Sequence, residues 1–459
     1  MSSRAVAPVD AMWLRMDRPT NLMVIDTLLF LNGAVDLDRL AAVVRARLVG
    51  RYPVFAERPA PGPLPGGRPR WVRDPDLDVD HHLVRATLPG DDDAALQRYV
   101  EACASTPLDR DRPLWQMHVL DGYRGGSVVL SRCHHALADG VALTQVLLSL
   151  TDDSPGGTPD LPPLPPIPRS AEHRGPPLAA LDPVARLARR ITDPRLAGNA
   201  ARLARDGLST ARGVLSTADK LLLGPPPPAP FRGVVGTAKR AVWGEPLPLE
   251  HVKRVCALTG ATVNDVLMAA AAGALATYAE ARGAEVREVS TMVPVNLRPP
   301  GRPLPRELGN QFALVLFRYP TTVRDPLARL AETRRRMDAI KQSPEAVLTF
   351  ALMTGIGLTA RPVERVLVGF FAGKALGVTT NVPGPRTLRY LAGSPVTGIL
   401  AWVPGSGTQT VGISICTYAG TVRVGFMVDA AGVPEPELLV GAFENEVTSL
   451  LRVTHTLSG

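Results

Sequence analysis

The 459-residue chain is predicted to be an α/β protein built from two halves. Short apolar runs of strand type alternate with amphipathic helical segments before residue 154 and again after residue 231. A proline-rich stretch separates the two series. Chains of this length usually divide into domains with separate cores. We therefore predict an N-terminal domain over 1–153, a linker and basic crossover over 154–231, and a C-terminal domain over 232–459.

The elements of the first half follow from hydrophobic periodicity. Residues 143, 146, 147 and 150 are apolar at the spacing of one helix face. Residues 121–126 contain three glycines and are predicted to be a six-residue hairpin loop. The predicted strands are 21–31, 71–84, 115–120 and 127–133, and the predicted helices are 37–52, 94–104 and the helix that begins near Leu143.

The second half repeats the alternation. Thr262 or Asn264 is a candidate cap for a long, alanine-rich helix. Ala419 and Gly420 are predicted to turn a closing hairpin. The predicted strands are 238–243, 289–295, 312–319, 377–382, 410–418 and 421–428, and the predicted helices are 248–258, 262–281 and 326–341.

One motif in the first half carries chemistry. His134 and His135 follow the predicted strand 127–133, and Asp139 and Gly140 follow after three residues, just before a helix. The imidazoles therefore lie on a strand-to-helix turn, where a rigid scaffold presents a side chain to a cleft. Imidazole accepts and returns a proton near pH 7, so a general base is the natural interpretation. Asp139 can fix the loop or the ring tautomer, and Gly140 would permit a positive φ.

Other interpretations of this motif are weaker. A metal site lacks further ligands at a suitable spacing, so none is predicted. A serine hydrolase would need a Gly-x-Ser-x-Gly elbow, which the chain does not contain. Cys133 could be a nucleophile, but strand alternation turns it away from His134. A chance pairing of histidines remains open.

A second histidine pair invites confusion with the first. His81 and His82 lie in the predicted polar strand 71–84, but Ala86 and Thr87 stand where the motif requires Asp and Gly. We therefore interpret this pair as structural.

Several motifs resemble one enzyme family. The histidine motif is similar to the active-site signature of the CoA-dependent acyltransferases, and the whole chain resembles a bacterial wax ester synthase/diacylglycerol acyltransferase. The resemblance covers nearly the full length and several motifs in order. They are Pro8-Val9-Asp10-Ala11-Met12-Trp13, Pro107-Leu108-Asp109, Arg112-Pro113-Leu114-Trp115, Asn264-Asp265-Val266, Asn296-Leu297-Arg298, Gly309-Asn310-Gln311-Phe312 and Asn381-Val382-Pro383-Gly384-Pro385.

The resemblance implies a fold and a reaction. Two halves like chloramphenicol acetyltransferase would hold the active site in a tunnel at their interface. The expected reaction is acyl transfer from acyl-CoA, a co-substrate rather than a cofactor, to a fatty alcohol or diacylglycerol, which forms wax ester or triacylglycerol. No acyl-enzyme is required.

The resemblance also implies site residues. The catalytic set is His135 as the base with His134, Asp139 and Gly140. The expected substrate and oxyanion residues are Asn264, Asp265, Asn381, Gly384 and Arg298, with Arg298 also a candidate partner for Asp139.

Two alternatives to this function remain. A condensation-type or polyketide-associated acyltransferase shares the histidine motif but takes its acyl group from a carrier protein, although the chain shows no carrier or adenylation domain. A non-enzymatic lipid-droplet protein with a degenerate site is the other, and the intact His, Asp and Gly argue against it.

Charge and cysteine content bear on location. The net charge is +8, and residues 182–223, with eight basic and four acidic residues, carry half of it. This segment is either a solvated crossover or a helix that binds a membrane or lipid-droplet surface. Basic residues without interleaved aromatics do not indicate nucleic-acid binding. The N-terminus lacks an apolar signal core, and four isolated cysteines suggest reduced thiols, so we expect a cytoplasmic protein, peripheral on membrane or droplets at most.

Overall fold

The computed structural model of the chain describes residues 3–63, 67–158, 225–298, 303–343, 345–357 and 361–456. The basic segment over 182–223 and most of the proline-rich linker lie outside these described residues. The described part contains mixed β-sheets with helices packed against them.

The six helices predicted from the sequence are present, whereas four further long helices, Pro8–Met16, Glu345–Gly357, Arg361–Ala372 and Glu437–Thr456, were not predicted. Asp36, Asp92 and Asp325 each cap a helix by accepting a backbone N–H, as short polar side chains do at helix starts. In the described residues the α-helices are α1 (Pro8–Met16), α2 (Leu37–Val43), α3 (Val79–His82), α4 (Asp93–Ala104), α5 (Gly140–Ser149), α6 (Leu249–Thr259), α7 (Val263–Ala281), α8 (Pro326–Lys341), α9 (Glu345–Gly357), α10 (Arg361–Ala372) and α11 (Glu437–Thr456). A π-helical turn over Val44–Val49 continues α2.

The strands form four sheets in the described part of the chain. They are β1 (Ser3–Ala5), β2 (Val24–Leu31), β3 (Glu57–Ala60), β4 (Arg70–Arg73), β5 (Leu83–Thr87), β6 (Trp115–Tyr123), β7 (Gly126–His134), β8 (Thr151–Asp152), β9 (Lys239–Trp243), β10 (Leu247–Pro248), β11 (Val289–Asn296), β12 (Phe312–Tyr319), β13 (Thr379–Pro383), β14 (Arg389–Leu391), β15 (Ser394–Trp402), β16 (Val411–Tyr418) and β17 (Thr421–Asp429).

The largest sheet joins the two halves of the chain. Its order is β5-β6-β7-β2-β15-β14-β8, so β14 and β15 from the second half complete a sheet of the first half. β15 pairs antiparallel with β2, and a bulge lies between Val396 and Gly398. β7 lies on the other side of β2, with His134 opposite Val24. The sheet therefore places the histidine turn, which follows β7, only one strand away from β15 of the second half.

The second half has its own core. β13, β16, β17 and β10 form one sheet, to which β9 adds through β17, and β11 pairs with β12 as a separate hairpin. Helix α7 is buried along most of its length, because its alanines allow close packing. At Gly273 a Cβ atom would lie 2.3 Å from the side chain of Glu446 on α11, so that contact requires glycine.

Three expectations from the sequence are wrong in detail. The loop over 121–126 is a two-residue turn at Arg124 and Gly125, whose φ values of 48° and 74° match the primed turns that suit twisted hairpins. His81 and His82 lie in the single turn α3, not in a strand. Residues 58–70, for which no strand was predicted, contain parts of β3 and β4.

In the described ranges no single helix is long and apolar enough to cross a membrane. Within the same residues, only α6 and α7 taken together have the length and apolar composition of a membrane span, and this pair is bent by 101°.

Candidate active site

The histidine motif forms the turn between β7 and α5. Both histidines are held by backbone hydrogen bonds: the N–H of His134 donates to the carbonyl of Leu114 at 3.0 Å, and that of His135 to the carbonyl of Met23 at 2.7 Å. The N–H of Leu137 closes the turn on the carbonyl of His134 at 3.0 Å. The expected strand-to-helix turn is confirmed, and its backbone is fixed from both sides.

His134 makes structural contacts. Its ring is buried, and its Nδ1 accepts the backbone N–H of Ala136 at 3.0 Å. Its Nε2 lies 3.7 Å from a carboxylate oxygen of Asp17. Burial lowers the pKa of His134, and the Asp17 carboxylate opposes that effect. Since both ring nitrogens face protein groups, His134 does not line the cavity described below.

His135 points into an apolar cavity. The cavity has about 100 Å³ of space for water-sized molecules. The ring of His135 stacks on Trp13, with centroids 4.1 Å apart and planes 16° apart, and Phe312 lies 5.5 Å away. The walls come from both halves of the chain: Ile25, Val141, Leu143, Met292, Leu314, Val378, Val382, Ala401 and Val403 are among the apolar members, and Asp139, Asn296, Thr380, Asn381 and Ser406 among the polar ones.

The surroundings of His135 decide which ring nitrogen can react. Nδ1 is buried and has no hydrogen-bond partner among the described residues, so Nε2 is the nitrogen that reaches the cavity. Burial lowers the pKa of His135 to about 4, because a charged imidazolium is poorly solvated there. The ring is therefore neutral at pH 7 and able to accept a proton.

Asp139 connects the two halves of the chain. One of its oxygens caps α5 by accepting the N–H of Ala142 at 3.0 Å. The other accepts Arg298 Nη1 at 2.5 Å and the N–H of Gln311 at 2.9 Å. Arg298 also donates to the carbonyl of Gly309 at 2.6 Å. Arg298 thus meets Asp139 in a buried ion pair.

Gly140 has a different role from the one expected. Its φ is not positive, because it is the first residue of α5. A Cβ atom at this position would lie 3.6 Å from the side chain of Val403, and both residues line the cavity. A side chain here would take up part of the cavity, and glycine supplies no unusual backbone angle.

Asn264 and Asn381 are brought together from α7 and β13. Asn381 Nδ2 donates to Asn264 Oδ1 at 2.9 Å, and Asn381 lines the cavity. Asp265 takes part instead in a capping box: its carboxylate accepts both the N–H and the hydroxyl of Thr262, and the Thr262 hydroxyl accepts the Asp265 N–H. Asp265 therefore orients the start of α7 and does not reach the cavity.

Gly384 lies beside a neighbouring pocket rather than at His135. Its N–H donates to the carbonyl of Thr417 at 2.7 Å, so it is not available to a substrate oxygen. A Cβ atom here would lie 2.5 Å from that carbonyl oxygen, which explains the need for glycine.

The other histidine pair does not line the cavity. His82 is buried, its Nδ1 lies 2.7 Å from the carbonyl of Trp115, and its ring stacks on that indole with centroids 4.4 Å apart. These contacts support a structural role. Cys133 is buried as well, and burial raises the pKa of its thiol to about 12, which disfavours a thiolate nucleophile.

Sequence reasoning assigned no role to several residues that surround His135. Trp13 and Phe312 flank the ring, and Asn310 donates to the carbonyl of His135 at 2.8 Å. Asp10 in turn accepts from Asn310 and is buried in α1. A carboxylate on the buried side of an apolar helix was the signal that could have identified Asp10, since a buried charge needs a partner.

Comparisons with known proteins agree with this geometry. The model of the wax ester synthase/diacylglycerol acyltransferase catalytic domain matches residues 6–267, and that of the WS/DGAT C-terminal domain matches residues 308–451. The chain belongs to the wax ester synthase/diacylglycerol acyltransferase family. It is an acyltransferase.

Relatives with curated names support the assignment. A Mycobacterium tuberculosis (strain ATCC 25618 / H37Rv) protein, whose name gives it as a diacylglycerol O-acyltransferase, is 32% identical over 87% of this chain and 86% of its own length. A second protein of that strain, tgs1, has the same kind of name and is 26% identical over 87% of this chain and 85% of its own length.

Solved structures show the same fold. The wax ester synthase/diacylglycerol acyltransferase from Marinobacter aquaeolei VT8 has a TM-score of 0.67 at 21% identity and covers 98% of this chain and 100% of its own. The first condensation domain of the calcium-dependent antibiotic synthetase has a TM-score of 0.59 at 18% identity, with 99% and 96% covered. The α/β fold expected from the sequence is confirmed.

Proposed function

We propose that the chain is an acyl-CoA-dependent O-acyltransferase that forms triacylglycerol from diacylglycerol, wax ester from a fatty alcohol, or both. The observation that carries this proposal is the position of His135: its ring opens into an apolar cavity, whereas His134 is held by Ala136 and Asp17. An apolar cavity with a neutral base suits a lipid hydroxyl, and diacylglycerol acyltransferase names among the relatives support the same substrates.

In the proposed mechanism Nε2 of His135 accepts the proton of the acceptor hydroxyl. The oxygen attacks the thioester carbonyl, and the tetrahedral intermediate collapses with loss of CoA thiolate. The imidazolium then returns the proton to that thiolate, so one ester and one free CoA thiol form without an acyl-enzyme. The face of Trp13, 4.1 Å from the ring, stabilises the transient positive charge by a cation–π interaction.

The oxyanion of the intermediate needs a donor. We propose the Asn381 amide, since it lines the cavity and its Nδ2 has a second hydrogen besides the one given to Asn264. Asn264 fixes the rotation of this amide. Asp139 and Arg298 have a structural part in this scheme: they hold the turn that carries His135 against the second half of the chain.

Contact with a lipid surface is a further part of the proposal. The charge of residues 182–223 supports it, and so do Val366 and Phe370 on α10, which are 70% and 41% exposed. Lys374 lies over the ring of Phe370 at 4.8 Å and adds a positive charge beside these apolar side chains. We propose that the enzyme works in the cytoplasm, where its four free cysteines suit reducing conditions, and binds anionic membranes or lipid droplets peripherally.

Flotation with anionic vesicles tests the surface contact. Replacement of Arg186, Arg189, Arg190 and Arg195 by Glu should abolish flotation, and added salt should weaken binding of the unmodified protein. Val366→Glu with Phe370→Glu should weaken it as well. Leu438→Glu, at a side chain that is 43% exposed on α11, is the matched control. Flotation that none of these changes affects would contradict the proposal.

An acceptor series tests the reaction itself. With palmitoyl-CoA fixed, kcat/KM for alcohols from butanol to hexadecanol should rise about tenfold for each added pair of methylenes, because each buried CH₂ contributes roughly 0.8 kcal/mol until the cavity is filled. Ester and free CoA are measured together. A flat series, or activity that requires an added acyl carrier protein, would reject this function in favour of a condensation-type enzyme.

A further inference from the structure

The amide of Asn310 lies between a buried carboxylate and His135. Asp10, on α1, accepts the backbone N–H of Asn310 at 3.1 Å and its Nδ2 at 2.8 Å through the same oxygen, Oδ1. Asn310 Nδ2 also donates to the carbonyl of His135 at 2.8 Å. All three side chains are buried: their exposed fractions are 5%, 7% and 4%. One chain of hydrogen bonds thus joins Asp10 to Asn310, 300 positions away in sequence, and Asn310 to His135, 175 positions away.

These bonds fix the orientation of the Asn310 amide. A primary amide nitrogen has two hydrogens, and Nδ2 has two oxygen acceptors, the carboxylate of Asp10 and the carbonyl of His135. A flipped amide would set its oxygen against both of those oxygens. Asn310 Oδ1 must therefore point elsewhere, and it is buried without a hydrogen-bond partner in the described part of the chain.

The second unpartnered atom belongs to His135. Its Nδ1 is likewise buried and without a partner among the described residues. The Asn310 side chain and the carbonyl of His135 itself both raise the pKa of His135, against the larger effect of burial. This is the effect of groups that accept a hydrogen bond from the imidazole ring.

We propose that Asp10 and Asn310 are positioning residues that fix the tautomer of His135. Asp10 holds the Asn310 amide so that its oxygen, not its nitrogen, faces the ring. Acceptors around Nδ1 keep the proton on that nitrogen, and Nε2 is left with its lone pair directed into the cavity. A histidine base is active in only one tautomer, so the partner of its other nitrogen controls its reactivity. This inference rests on the proposed role of His135 as the base.

The role of Asp10 does not depend on its own charge. Burial raises the pKa of Asp10 to about 7, and the two Asn310 hydrogen bonds oppose that rise. A proton on Oδ2 would leave Oδ1 as an acceptor, so the Asn310 amide keeps its orientation in either state. An asparagine at position 10 would differ in this respect, because it could turn its NH2 group, a hydrogen-bond donor, toward Asn310.

The direct test is the tautomer in the unmodified, full-length protein. Nitrogen-15 NMR of protein labelled at its eight histidines, with the His135 signals assigned from the spectrum of His135→Gln, distinguishes Nδ1–H from Nε2–H. We expect Nδ1–H in the unmodified protein and a mixture in Asp10→Asn. An Nε2–H tautomer in the unmodified protein would overturn the inference. Because this measurement needs no turnover, it stands apart from the test of the reaction.

Kinetics supply the second test. Asp10→Asn should lower kcat roughly 10- to 100-fold, the loss typical when a histidine loses an orienting partner, with little change in KM for acyl-CoA. Asp10→Asn combined with Asn310→Asp moves the carboxylate next to Nδ1–H. That carboxylate should shift the acidic limb of the kcat profile to higher pH, since it favours the imidazolium. Asp139 and His134, the other titratable neighbours of His135, are unchanged in this variant.

A matched control separates this effect from packing. Asn21 is also buried, and its Nδ2 donates to the carbonyl of Gly407 at 2.9 Å. Asn21→Asp should leave the acidic limb where it is. Two results would overturn the inference. In the first, the double variant regains thermal stability but its acidic limb does not move; in the second, Asp10→Asn keeps the kcat of the unmodified protein. Either result would mean that Asp10 and Asn310 only pack α1 against β12.

Discussion

Replacement of Asp139 by Asn should destabilise the protein strongly. The side chains of Asp139 and Arg298 are 2% and 11% exposed, so the change leaves a buried guanidinium without its counter-ion. Loss of one partner of a buried pair costs about 3–5 kcal/mol of unfolding free energy. The cap of α5 contributes little to this loss, because Asn caps helices about as well as Asp.

Urea unfolding followed by circular dichroism measures this change. Asp325→Asn is the matched control: Asp325 also caps a helix, by accepting the N–H of Ala328 at 2.7 Å, but at an exposed position. We expect less than about 0.5 kcal/mol for the control. Acyl transfer should fall together with stability in Asp139→Asn, because the turn that carries His135 loosens. Loss of activity at full stability would refute this reasoning and give Asp139 a direct chemical role.

Two further predictions concern the histidines. Because burial lowers the pKa of His135 to about 4, kcat/KM should stay constant from about pH 7 down to about pH 5 and fall only as the base is protonated near pH 4; an acidic limb near 6.5 in a pH profile of initial rates would contradict this. His82→Ala should lower the unfolding free energy by about 1–3 kcal/mol, since the carbonyl of Trp115 loses its partner, and leave kcat/KM nearly unchanged below the melting temperature. A loss of turnover as large as that of His135→Ala would mean that the wrong pair was chosen.

Local patterns in the sequence were enough to locate the centre of the site. The apolar spacing of Leu143, Val146 and Leu147 predicts α5, and all three are buried. A strand before His134 and a helix after Asp139 then fix the turn. The start and end of α8 were also predicted, and the structure shows Pro326 opening the helix after the cap residue Asp325.

Long-range pairings could not be predicted in this way. β14 and β15 join the sheet of the first half, although nothing in their own residues specifies β2 as a partner. Asn310 donates a hydrogen bond to Asp10, 300 positions away in sequence, and nothing about either residue alone indicates this contact. Gly140 was assigned a positive φ because turns often need one, whereas it is the first residue of α5 and its φ is not positive. Such contacts depend on tertiary packing rather than on spacing along the chain.

The most direct test of the account compares His135→Ala with the unmodified enzyme. Both purified proteins are assayed with palmitoyl-CoA and either diacylglycerol or hexadecanol, and the ester and free CoA that form are measured. Thermal melting of each protein shows separately whether it is folded. We predict a loss of about 10²- to 10⁴-fold in kcat at an unchanged melting temperature, as expected when only a general base is removed. A folded His135→Ala variant that turns over at nearly the unmodified rate would contradict the central claim.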